Sequence, residues 1–190
     1  RNSRTVPERM DVSSMTRRDL VLAAAAAAAV TGAAGCFDRA IVPERLLLII
    51  LPCAVIPPML ALLFRNYGGP RWSVVYVLAS SIAGWIVIDL TAGVAFTDIA
   101  GLRSGLDGGL SRLFSTTLPV VDQPQALVGV SSLVWLASSV TSWLAASAQR
   151  PGLSLLPPSI VAMVGMLASV NGVGRTWVGP VTWVAGSTLL

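Results

Sequence analysis

The sequence predicts an all-α fold: a multi-pass bundle of about six transmembrane helices, with an amphipathic helix lying along its one long external loop. Three observations predict it. Hydrophobic residues make up 54% of the chain and charged residues only 12%, with a mean hydropathy of +0.75. A soluble domain carries roughly 25% charged residues, so this chain has too little polar surface to cover a globule in water. The apolar residues are also gathered into blocks whose length, about twenty residues, matches a hydrocarbon core about 30 Å thick. Finally, the charges sit almost entirely at the ends of those blocks.

Residues 1–18 form a polar tail in which Arg1, Arg4, Arg9, Arg17 and Arg18 face Glu8 and Asp11. Helices are then expected over about 20–37, 46–64, 72–96, 126–148, 153–170 and 177–190. The first is dominated by the alanines of 23–29, the second carries Pro52, Pro57 and Pro58, and the fifth opens near Pro157-Pro158. Strands are excluded because an open strand in lipid leaves unpaired amides, and a barrel needs alternating segments of about ten residues. Prolines within membrane helices mark kinks whose freed carbonyls are satisfied by neighbours. Trp72, Trp177 and Trp183 stand at block ends, where indoles favour the interface; Trp85, Trp135 and Trp143 lie deeper and are expected between helices.

The long loop, 97–125, repeats Ile99, Leu102, Leu106, Leu110, Leu113 and Phe114 at three- and four-residue steps, while Arg103, Asp107 and Arg112 fall on other faces. That pattern fits a helix lying flat in the interface, weakened by Gly101, Gly105, Gly108 and Gly109 at up to about 1 kcal/mol each relative to Ala. A possible repeat pairs Val55-Ile56-Pro57-Pro58 with Leu155-Leu156-Pro157-Pro158, but Pro-Pro is common punctuation and chance accounts for it.

All thirteen basic residues are Arg, and His is absent. With the N-terminus in the cytoplasm, eight Arg fall on inside segments and five on outside ones, the asymmetry that orients membrane proteins. A basic balance would suggest nucleic acid in a soluble chain, but Arg residues placed singly or in pairs beside apolar blocks do not form a nucleic-acid surface. The compartment expected is the bacterial cytoplasmic membrane, with the lipid bilayer as first partner.

Few residues carry chemistry. Without His there is no Ser–His or Cys–His pair and no histidine metal cluster, and no cofactor motif is present. Asp89 is the one acid well inside an apolar block. An ionised group there is costly enough to suggest proton handling or substrate binding, although a helix ending near it would merely bring it to interfacial water. Thr16-Arg17-Arg18 ahead of an Ala-rich run ending Ala33-Ala34-Gly35-Cys36 has the outline of a twin-arginine lipoprotein signal, which would make Cys36 a lipidation site. The five apolar blocks that follow, and the orienting role of Arg before a first helix, give the alternative. Ser131, Ser132, Ser138, Ser139, Thr141 and Ser142 are expected to let helices pack closely.

From about residue 19 onward the chain resembles the N-terminal membrane region of bacterial transglutaminase-like membrane proteins of the TgpA type. The resemblance is carried by Ser104-Gly105-Leu106-Asp107-Gly108-Gly109-Leu110, by Leu118-Pro119-Val120-Val121-Asp122-Gln123-Pro124, and by the helix ending Ala148-Gln149-Arg150-Pro151-Gly152-Leu153. It implies a bundle that precedes an extracytoplasmic domain with a Cys-His-Asp triad. No member of that triad maps onto these residues, so any enzymatic activity would belong to a domain beyond residue 190, where an apolar run is still open. An external domain also requires an odd number of crossings. The function expected is therefore a membrane-anchoring and scaffolding module of a larger cell-envelope protein, whose partners are other membrane proteins or its own extracytoplasmic domain. The alternatives are a small transporter or channel working through Asp89, and a non-catalytic subunit of a membrane complex.

Overall fold

A computed structural model describes residues 17–38, 40–41, 43–67, 71–93, 99–115, 124–147, 151–169, 181, 183–184 and 187–188. Among these the regular structure is all helix, and four helices are long and apolar enough to cross a membrane. The polar tail up to residue 16, Trp177, and the parts of the external loop at 94–98 and 116–123 lie outside the described residues. Of the predicted sixth block, Val181, Trp183, Val184 and Ser187 are helical.

Helix α1 (Arg17–Ala34) is built on alanine, the best helix former, and its small side chains let neighbours approach. A 3-10 turn, Gly35–Phe37, continues it and reverses the chain: the amides of Ala40 and Ile41 both donate to the Phe37 carbonyl, at 2.9 and 3.0 Å. The Phe37 ring is fully buried beneath that turn. Helix α2 (Pro43–Tyr67) starts on a proline, whose missing N–H costs nothing at the first helical position. It stays helical through Pro52, Pro57 and Pro58, each of which removes one rung of the backbone ladder.

Helix α3 (Trp72–Ala92) stops four residues short of its predicted end. Gly93 adopts a left-handed conformation, φ 68°, and its amide donates to the Asp89 carbonyl. Helices α4 (Ile99–Ser115) and α5 (Pro124–Ser147) follow. A 3-10 turn at Pro151–Leu155 then leads into α6 (Leu156–Ala168), where Pro157 and Pro158 occupy the first turn. The same dipeptide thus starts α6 but lies in the middle of α2, so the two Pro-Pro segments hold different structural positions.

Side-chain contacts fix the directions. Arg65 near the end of α2 pairs with Asp19 in the first turn of α1, N to O 2.8 Å, so these helices are antiparallel. Ser142, Ala145 and Ala146 of α5 line a small cleft with the same pair, placing the end of α5 there too. At the opposite end Ser169, just after α6, donates to the Cys36 carbonyl at 2.8 Å. Helix α5 is the axis: it touches each of the other five helices, and its Leu127, Val128, Val130, Val134 and Ala137 are buried in the main apolar cluster.

Helix α4 docks on α5 through glycine. Its buried face is Gly105 and Gly109, pressed against the first turns of α5, while Leu106 and Phe114 are exposed. A Cβ on Gly109 would collide with the Gln125 carbonyl oxygen and stand 3.0 Å from the Gly129 Cα; one on Gly105 would lie 2.7 Å from the Val128 Cβ. The glycines that seem to weaken α4 are the surface by which it docks. Gly108, by contrast, meets nothing closer than 4.0 Å. Gly109→Ala is therefore expected to destabilise the protein by about 1–3 kcal/mol through overpacking. Gly108→Ala should be neutral or stabilising by up to about 1 kcal/mol through helix propensity. Thermal melting in detergent separates the two; equal shifts would refute the close seam.

Candidate functional site

Helices α3 and α5 run antiparallel and are stitched by side-chain hydrogen bonds. Tyr76 at the start of α3 donates its hydroxyl to the Ser139 carbonyl at 2.9 Å, and Ser80 and Ser139 share a hydroxyl bond of 2.8 Å. One turn on, the Trp135 indole N–H donates to the Ser80 carbonyl at 3.1 Å. Near the other end Thr91 and Ser131 hydroxyls meet at 3.3 Å. Gly84 makes the fit possible: a Cβ there would run into the Trp135 ring, 2.8 Å from its Cδ1.

Beside this seam the two helices diverge and leave a lateral groove of roughly 500 Å³. Val77, Ser81, Trp85 and Ile88 form the α3 wall, with Leu136, Val140 and Trp143 opposite on α5. Leu106 of α4 lines it as well. The groove opens sideways from the bundle.

Its hydroxyls are already engaged. Ser81 donates to the Val77 carbonyl at 2.8 Å and Ser132 to the Val128 carbonyl at 2.7 Å, and the Tyr76, Ser80, Ser139 and Trp135 groups bond within the seam. What faces outward is hydrocarbon and indole. Such a site can hold an apolar chain, but it offers no nucleophile, base or metal ligand.

The sequence-predicted residues lie elsewhere. Asp89, in the last turn of α3, is 3% exposed; its Oδ2 has no hydrogen-bond partner, and it lines neither the groove nor the Asp19–Arg65 cleft. Cys36 is buried in the 3-10 turn after α1, with its thiol 3.7 Å from the Gly32 carbonyl oxygen. Gly165 of α6 packs over it, so closely that a Cβ there would stand 2.9 Å from the Cys36 Cβ.

The indoles correct a second expectation. Trp135 is buried between helices as predicted, but Trp85 and Trp143 are 41% and 37% exposed and flank the groove. The signal that could have located it is the spacing Val77, Ser81, Trp85, Ile88, which puts one face of α3 beside the seam.

Tyr76→Phe removes one hydroxyl from the seam and is expected to cost about 0.6 kcal/mol, the usual worth of such a bond between membrane helices. Unfolding in mixed micelles checks it; a loss above about 2 kcal/mol would mean the hydroxyl supports more than this contact. The chain as a whole matches no family model, no curated protein and no solved structure.

Proposed function

We propose that the chain is a multi-pass module of the bacterial cytoplasmic membrane that anchors and positions other polypeptide, in the manner of the membrane region of the transglutaminase-like proteins it resembles. One observation carries this reading: α5 is one of four helices of membrane-spanning length and the other three pack against it, and the hydroxyls between α3 and α5 are spent on holding those helices together. In lipid, where apolar burial drives little association between helices, such contacts maintain a bundle. The excess of Arg on the Asp19 side of the bundle supports a cytoplasmic N-terminus.

Two measurements test it. Sodium carbonate should leave the chain in the membrane fraction; release into the wash would refute the module. In a Cys36→Ala/Cys53→Ala background, Asp107→Cys on exposed α4 should react with an impermeant maleimide in intact cells, and Asn2→Cys should not. The opposite labelling would reverse the orientation.

A second reading is favoured by Asp89. A buried carboxylate with an unpartnered oxygen is costly in an apolar surround, and such residues serve transport by default. Proton flux into liposomes discriminates. The anchoring reading expects none from wild type or from Asp89→Asn, whereas flux present in wild type and lost in Asp89→Asn assigns transport.

A further inference from the structure

We propose that the α3–α5 groove binds one anionic phospholipid, its acyl tail lying between Trp85 and Trp143 and its headgroup held by Arg71. The inference rests on the reading that α3 and α5 cross the bilayer, and it names what the groove then meets.

Length comes first. From Tyr76 to Ile88 the α3 wall covers twelve residue steps, or about 18 Å at 1.5 Å per residue. Half of a hydrocarbon core is about 15 Å, so the groove is as long as one acyl tail is deep. Its volume, roughly 500 Å³, falls inside the range of about 300–1,000 Å³ for sites that enclose small ligands. Because the hydroxyls in its walls are engaged within the bundle, the occupant gains nothing there from polar groups of its own. A saturated or singly unsaturated tail suits that surface better than a peptide segment with side-chain polarity to satisfy.

Charge then selects the headgroup. Arg71 stands immediately before α3, five residues from Tyr76, which places it about 7.5 Å beyond the groove along the helix axis. It is exposed and forms no ion pair among the described residues, whereas Arg65 at the same end of the bundle is engaged with Asp19. A guanidinium binds phosphate with two parallel N–H donors, and its long stem lets it reach up from the edge of the hydrocarbon. With a cytoplasmic N-terminus this end faces the leaflet that carries negative surface potential.

The test uses the full chain in nanodiscs of equal parts phosphatidylglycerol and phosphatidylcholine, extracted gently into native mass spectrometry. Wild type should retain one phosphatidylglycerol per chain in preference to phosphatidylcholine. Arg71→Gln should lower that preference about fivefold, the worth of one arginine at an anionic surface, while still retaining a lipid. Ser81→Trp or Val140→Trp, which fill the groove from exposed positions, should retain neither lipid and melt as wild type does. Equal retention of the two lipids by wild type, an Arg71→Gln variant with unchanged preference, or groove-filled variants that keep their lipid would each overturn the proposal. So would a photoreactive residue at Leu136 that cross-links to a polypeptide instead of to lipid. Carbonate extraction of the same samples separates the two failures: a chain that stays in the membrane but holds no lipid sinks the site alone.

Discussion

Everything in this bundle depends on how closely other helices can approach α5. In water, apolar burial alone draws helices together at about 25 cal/mol per Å². Among lipid tails that drive is nearly absent, and association rests on dispersion between surfaces that fit and on hydrogen bonds between them. Helix α5 meets this constraint with small side chains. Gly129 admits α4, Ser131 shares a hydroxyl bond with Thr91 and Ser139 one with Ser80, the Ser139 carbonyl accepts from Tyr76, and the small Ser142, Ala145 and Ala146 lie at the end where Asp19 and Arg65 pair. The reciprocal glycines stand on the partners: Gly109 on α4 and Gly84 on α3. Away from α5 the same device recurs, with Gly165 of α6 seated on the turn that ends α1.

The groove follows from the same constraint. Gly84 lets the Trp135 ring lie flat in the seam, where its N–H finds the Ser80 carbonyl. A ring of that size holds α3 and α5 at contact on one side of their common line. On the other side, Trp85, Ile88, Leu136, Val140 and Trp143 line the opening. The tight glycine–indole contact thus belongs both to the seam and to the wall of the opening beside it.

This also explains which features are legible in the sequence. The positions of α2, α3 and α5 can be read because block length and hydropathy register the thickness of a hydrocarbon layer, and the capping chemistry of Gly93 or Pro43 moves each boundary by only a few residues. Which face of a helix touches a neighbour is harder to read, since leucine is at home against lipid and against protein alike. The leucine period of α4 does not mark the face that docks on α5; Gly105 and Gly109, four residues apart, do. Trp85, Trp135 and Trp143 are identical in kind, and all three lie inside their apolar blocks. Only the glycine across from Trp135 separates the buried ring from the two exposed ones, and that pairing exists solely in three dimensions.

The docking of α4 bears on what an anchoring module could transmit. Helix α4 lies between α3 and α5 in the chain, and its Arg103 and Asp107 are exposed and pair with each other at 3.7 Å. An exposed i,i+4 pair contributes only about 0.3–0.5 kcal/mol, so it does not hold the helix in place. The backbone contact of Gly109 with Gln125 and Gly129 does, because a Cβ on either glycine would run into the opposing backbone. A loop helix fixed in register to α5, which itself touches every other described helix, makes that length of chain a rigid extension of the bundle. Polypeptide attached or docked at α4 would then be held at a set position relative to the membrane, the one mechanical property an anchor must supply and a freely floating interfacial helix would lack.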